Sequence, residues 1–182
     1  MQKIKQLYVD SIKEFKITRN MVICGFMAAL AVVLGYVASI DIGPYIRIGF
    51  SGIPNRIVEF LFGPVIGCIF GGTLDILKFV IKPTGPFFFG FTFDAMLAGV
   101  IYGSFLYKKP VKLWRVFVAE LLAKIIVNCF FNTLWISMLY GKGFIAILPA
   151  RVIKNAVMLP IDTLIVYFAC TFMQRFKRQL HM

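Results

Sequence analysis

The chain has 182 residues, 60% hydrophobic and 15% charged, with a mean hydropathy of +0.85. Soluble domains carry about 45–50% apolar and about 25% charged residues. The composition therefore excludes a disordered chain and argues against a soluble enzyme or nucleic-acid-binding domain, despite a formal net charge of +12. Crossing about 30 Å of hydrocarbon takes roughly 20 apolar residues per helix, so the chain has room for about five to seven spans.

Residues 1–20 read as a basic amphipathic lead, with Ile4, Leu7, Tyr8, Ile12 and Phe15 among Lys3, Lys5, Lys13, Lys16 and Arg19. Such a segment suits the headgroup layer of an anionic leaflet. The run over 20–38 is too long for a signal-peptide core and predicts the first span. A turn-rich loop follows over 40–52. A second span starts at Ile53 and is cut short by Gly63-Pro64. A third covers 64–81. Residues 82–91 carry two prolines and two glycines and predict a loop. Spans four, five and six fall at 92–107, 116–139 and 150–173, with a loop or partial helix over 140–149. The expected architecture is all-α: one membrane domain over 1–182, with a six-helix bundle over 20–173 and a basic tail over 174–182.

Charge placement orients the bundle. The ends and the even-numbered turns hold Lys3, Lys5, Lys13, Lys16, Arg19, Lys108, Lys109, Lys112, Arg115, Arg175, Lys177 and Arg178, which is twelve of the 20 Lys and Arg residues. The opposite loops hold three: Arg47, Lys82 and Lys142. Cytoplasmic loops carry the excess of cations, so both termini are expected in the cytoplasm of a multi-pass cell-membrane protein. The same distribution accounts for the basic balance without nucleic acid.

An ionisable group inside a span costs a few kcal/mol and needs a reason. Here such groups recur in helical register. Span two has Asn55, Arg56 and Glu59; span three has Asp75 and Lys78; span four has Asp94. Span five places Glu120, Lys124, Asn128 and Asn132 four residues apart, and span six adds Arg151, Lys154, Asn155 and Asp162. Neighbours at this spacing neutralise one another as intrahelical pairs, or the amides join helices. Two cations and an amide at 151–155 exceed what Asp162 balances on their own helix, so an anionic ligand, or Asp75 and Asp94 across the bundle, must offset them. Under this topology Asp75, Lys78, Asp94, Asn132, Trp135, Arg151, Lys154 and Asn155 share the outer half, which describes an outward-facing cavity. The outer loops carry Tyr45, Phe50, Phe87, Phe88, Phe89, Phe91 and Phe93. These form either an interfacial belt or a stacking surface for a flat heteroaromatic ligand.

Gly63, Gly67 and Gly71 form two GxxxG steps, and Ala95, Gly99 and Gly103 repeat the spacing on span four. Gly25 and Ala29 form a further small pair on span one. Small residues at this spacing let helices approach closely. No GxxxxGK[ST] occurs, so this chain has no P-loop for ATP. Cys24, Cys68, Cys129 and Cys170 lie in apolar runs without CxxC, and the one histidine is His181, so no metal or other cofactor is expected.

Four segments carry a family resemblance: IRIGFSGIPNRIVEFLFGPVIG (46–67), DILKFVIKPTGPFFFGFTFDAMLAGVIYG (75–103), FNTLWISMLYGKGF (131–144) and LPARVIKNAVMLPID (148–162). With them the chain resembles the substrate-binding S components of energy-coupling factor (ECF) vitamin transporters, within them the folate-specific branch. The resemblance implies the six-helix S-component bundle, a substrate site on the extracellular side under the 1–2 and 3–4 loops, and no enzymatic activity. It implies as partners a coupling transmembrane subunit and two ATPase subunits. The family's AxxxA docking motif on its first helix is matched by Gly25 and Ala29, with Gly in the first place and Ala28 beside it.

A pterin asks for aromatic walls and polar edges, and a glutamate tail asks for cations. The expected contacts are Arg151, Lys154, Asn155, Asn132 and Trp135, then Asp75, Lys78 and Asp94, with Phe88 and Arg47 from the lid. Other readings are an S component for riboflavin or thiamine, a stand-alone carrier, and an intramembrane enzyme.

Overall fold

A computed structural model describes residues 2–37, 39–42, 46–81, 86–141 and 143–179, and side chains over 5–35, 51–81, 86–141 and 143–175. Helix α1 (Gln2–Phe15) carries the amphipathic lead, and α2 (Thr18–Val37) is apolar on nearly every face. Strands β1 (Ser39–Ile42) and β2 (Ile46–Gly49) then pair antiparallel, Ser39 opposite Gly49 and Ile42 opposite Ile46. The expected plain loop over 40–52 is therefore a short hairpin closed by a 3₁₀ turn, Phe50–Gly52. Ile40, Ile42, Ile46 and Ile48 supply the β-branched residues that favour it.

Helix α3 (Ile53–Phe62) is ten residues long and stops at Gly63, whose φ of 89° lies where L side chains are strained. Pro64 opens α4 (Pro64–Ile81), and α5 follows as Phe89–Leu106. The fifth predicted span is one continuous rod in three parts: α6 (Leu113–Ala123), a π-helical stretch (Lys124–Phe131) and α7 (Asn132–Tyr140). Gly141, at φ 64°, ends it. The sixth helix departs from expectation. It starts at Phe144, six residues early, and α8 runs to Gln179 through Pro149 and Pro160. Membrane helices tolerate such prolines because neighbouring groups satisfy the freed carbonyls.

Among the described residues, five helices or helical rods are long and apolar enough to cross a bilayer: α2, α4, α5, α6 through α7, and α8. The ten residues of α3 rise about 15 Å, half of what a crossing takes. Phe26, Val80, Ile145 and Phe168 point outward, as side chains do against lipid.

Two contacts order the bundle. The first is α4 against α5. The predicted small-residue stripes face each other: a Cβ on Gly71 would lie 2.6 Å from Ala95 O, and one on Gly99 would strike the Gly67 backbone. The second is Ser11 on α1, which is fully buried. Its hydroxyl donates to Phe62 O (2.6 Å) and accepts from Val65 N (3.2 Å), meeting the last turn of α3 and the first of α4. Tyr8 bonds Ser104 of α5 (3.0 Å), and Lys108 donates to Asp10 (2.8 Å), holding that carboxyl below its usual range. The N-terminal helix, the α3–α4 turn and the α5–α6 connection thus share one end of the bundle. Strand β2 leads into α3 at the other end, where α4 ends, α5 begins and α7 ends.

Gly99→Ala should destabilise the protein by about 1–3 kcal/mol, because backbone faces the new methyl. Thermal unfolding in detergent reads this as a lowered midpoint. Gly25→Ala, with nothing within 4 Å of its added Cβ, should leave the midpoint unchanged or raise it.

Candidate functional site

Polar side chains gather in two tiers between α3, α5, the α6–α7 rod and α8. The upper tier lies toward the hairpin end. Asp94, in the second turn of α5, is 5% exposed. Its Oδ1 accepts from Trp135 Nε1 on α7 (3.1 Å), and Asn132 also hydrogen-bonds it. Arg151 of α8 donates to Asn132 Oδ1 (2.5 Å) and Asn128 O (3.2 Å). Asn128 Nδ2 donates to Asn155 Oδ1 (3.3 Å), and Asn155 Nδ2 reaches Cys129 Sγ (3.5 Å). Three aromatic rings stand over this tier. Phe88 lies 5.6 Å from Trp135 between centroids, and Phe131 stacks on Trp135 at 6.0 Å.

Gly90 makes room for those rings. A Cβ there would sit 2.5 Å from the Phe88 ring and 2.7 Å from Trp135. Gly90 and Asp94 are four residues apart on one face of α5, so the rings cover the face that carries the carboxylate.

The lower tier surrounds a cavity of about 180 Å³ lined by Arg56, Tyr102, Glu120, Lys124, Asn128 and Asp162, among others. Lys124 pairs with Asp162 across to α8 at 2.5 Å. Tyr102 OH donates to Glu120 at 2.7 Å. Arg56 pairs with Glu59 at 2.5 Å and lies 3.4 Å over the Tyr102 ring. Of the intrahelical pairs weighed from spacing, Arg56–Glu59 forms. Glu120–Lys124 does not, because each reaches a neighbouring helix instead.

The predicted site residues divide accordingly. Arg151, Asn132, Asn155, Trp135, Asp94 and Phe88 come together. Asp75 accepts from Thr92 Oγ1 (2.8 Å), a contact between α4 and α5 below the rings. Lys78 is half-buried one turn further along α4, with no ion pair among the described residues. Lys154 is half-buried, likewise without an ion pair among the described residues. The side chain of Arg47, with Tyr45 and Lys82, lies outside the described residues. Asp162 does not balance Arg151, since Lys124 takes it. Sequence reasoning missed Tyr102 and Thr92; a lone hydroxyl in an apolar span is a weak signal, legible only once a buried carboxylate stands opposite.

At the other end, Gly25, Phe26 and Ala29 are exposed on α2, and Ala28 is half-buried. Gly25 and Ala28 line an apolar groove with Phe15, Met21, Cys24, Ile66, Ile69 and Phe70.

Fold and site define a small multi-pass α-helical membrane protein that holds its interior polar groups between helices. The family description "ECF transporter, substrate-specific component" matches residues 19–169, and the chain belongs to that family. It is 38% identical over 157 residues to the folate transporter FolT of Clostridium novyi (strain NT), covering 86% of this chain and 91% of that protein. It is 32% identical to the folate transporter FolT of Leuconostoc mesenteroides, over 83% of this chain and 84% of that one. A crystal structure of FolT bound with folic acid superposes with a TM-score of 0.75 at 31% identity, covering 85% and 92% of the two chains.

The ion pairs make a stability prediction. Lys124→Met leaves Asp162 charged and unpaired and should cost about 3–5 kcal/mol, seen as lost monodisperse protein on size exclusion. The double change Lys124→Met with Asp162→Leu should recover most of it. Equal losses in single and double variants would show that the pair is not the unit of stability.

Proposed function

We propose that this chain is the folate-binding subunit of an ATP-driven ECF-type vitamin importer. It captures the vitamin from the extracellular side, with both termini in the cytoplasm. It works as one membrane domain, without catalysis of its own, beside a coupling transmembrane subunit and two ATPase subunits. The observation that carries the reading is the upper tier: Arg151, Asn132, Asn155 and Asp94 converge from three helices under Trp135 and Phe88. Folate combines a flat heteroaromatic ring with a dicarboxylate tail, so it needs this mixture of rings, hydrogen-bonding edges and cations. Two relatives named as folate transporters, and a related fold solved with folic acid, support the same choice. The twelve-to-three division of Lys and Arg supports the orientation. Arg47, Lys154, Asp75 and Lys78 remain proposed contacts on sequence grounds, and Gly25, Ala28 and Ala29 the proposed docking face.

Trp114 is exposed at the α6 start and Trp135 lies in the site, so Trp114→Phe leaves one reporter. Folic acid should quench its emission saturably, and riboflavin or thiamine should neither quench nor compete. Competition by either vitamin at equal strength would replace folate in this reading. In the same background Arg151→Ala should weaken folic acid binding at least about tenfold while yield is kept. Ala29→Trp should leave binding intact and abolish uptake with the partner subunits. Uptake by this chain alone, without ATP, would make it a stand-alone carrier.

A further inference from the structure

We propose that the apolar groove between α2 and α4 seats one acyl chain of an anionic phospholipid, whose phosphate rests on Lys16 and Arg19 at the α1–α2 turn. The site lies at the opposite end of the bundle from the rings and goes beyond the folate reading. Helices α2 and α4 both start at this end, since α2 follows the turn and Ser11 of α1 bonds the first turn of α4. The groove between them has a volume of about 300 Å³. Met21 and Ala28 line it from α2, Ile66, Ile69 and Phe70 from α4, and Phe15 from α1. From Met21 to Ala28 its wall rises about 10 Å into the bundle, the direction in which acyl chains hang. Gly25 keeps it open, because a Cβ there would meet nothing within 4 Å.

The charges beside the groove choose its occupant. Lys13, Lys16 and Arg19 are exposed around the turn and form no ion pair among the described residues. The carboxylates of α1 are already engaged. Asp10 accepts from Lys108 (2.8 Å), and Glu14, which lines the groove, accepts from the Asn20 amide (2.8 Å) and the Tyr107 hydroxyl (3.3 Å). Cations without counter-ions beside the entrance to an apolar slot match a phosphate followed by a hydrocarbon chain. Val9, Ile12 and Ile17 are exposed in the same stretch, the pattern of a helix lying in the headgroup layer. At that depth the turn meets lipid phosphates and the groove opens into hydrocarbon. A zwitterionic lipid brings its own ammonium, which competes with Lys16 and Arg19 for the phosphate. An apolar helix of another protein would fill the slot but leave the cations unanswered.

The test titrates the delipidated full chain in detergent with dioleoyl-phosphatidylglycerol or dioleoyl-phosphatidylcholine and counts bound lipid by native mass spectrometry. The two lipids share their chains and differ only in the headgroup. The wild-type protein should take up a first phosphatidylglycerol at least about tenfold more tightly than phosphatidylcholine. Lys16→Gln with Arg19→Gln should bring the two lipids within about threefold of each other. Gly25→Leu, which fills the groove and keeps the cations, should weaken phosphatidylglycerol at least about fivefold. Equal binding of both lipids by the wild-type protein would overturn the proposal, as would a ladder of adducts with no distinct first site. A preference that survives in the double variant would overturn it by placing the headgroup elsewhere. Undiminished binding by Gly25→Leu would overturn the seat of the chain and leave a charged surface alone. The wild-type comparison decides even if a variant fails to fold, and each outcome leaves the folate reading as it stands.

Discussion

A charge inside hydrocarbon has no water to fall back on, and that constraint places Lys124, Arg56 and Arg151. Lys124 turns to Asp162 on α8, Arg56 to Glu59 and the Tyr102 ring, and Arg151 to an amide and a main-chain carbonyl. With the Tyr102–Glu120 hydrogen bond, these contacts join α3, α5, the α6–α7 rod and α8. Such pairs add little net stability compared with apolar packing, because desolvation offsets their attraction. What they fix is direction. A helix that rotated by a quarter turn would expose an ion to lipid, so the rotation of each helix about its axis is decided by its charges rather than by its apolar surface.

Helix α4, whose Asp75 and Lys78 form no ion pair among the described residues, is positioned differently. Its glycines meet the small residues of α5 backbone to backbone, and the approach brings Asp75 to Thr92. Two residues past Thr92 stands Asp94. The close contact therefore sets where α5 presents its carboxylate, and Gly90 on the same helix lets Phe88 and Trp135 settle over it. The upper tier thus inherits its geometry from small residues well away from the rings. At the opposite end, Ser11 ties α1 to the α3–α4 turn and leaves α2 with an open face.

Much of this was legible in the sequence because membrane helices announce themselves by length and apolarity, and costly residues announce themselves by rarity. The spans at 20–38, 64–81 and 92–107 agree with α2, α4 and α5 within about three residues. The paired glycine stripes were visible as spacing. The hairpin was not legible, since four-residue strands separated by Gly43-Pro44-Tyr45 look like any turn. The start of α8 was missed because Pro149 suggested a helix boundary, and a proline inside a membrane helix sends no different local signal. Partners were the least legible part. Spacing of four assigned Lys124 to Glu120, whereas the structure gives it Asp162, 38 residues on. Local spacing shows who is adjacent on a helix, but burial rewards whichever carboxylate completes the shell.

The same rod shows why a stripe at intervals of four overstates its own regularity. Glu120, Lys124, Asn128 and Asn132 read as one face, but the main chain between Lys124 and Phe131 is π-helical. There the Asn132 N–H reaches back five residues to Val127 O. Asn128 O accepts from two side chains, Thr133 Oγ1 and Arg151 (3.2 Å each). The widened turn shifts the phase of everything beyond it. Residues before it face the lower cavity and Asp162; residues after it face Asp94 and Arg151. π-Turns cluster at functional sites because they re-aim side chains at the cost of a strained ladder. Here Arg151 both belongs to the proposed binding tier and donates to a carbonyl of the wide turn. Whatever draws its guanidinium elsewhere also takes a donor from that carbonyl, so the π-helical stretch of the rod and the occupancy of the site share one side chain.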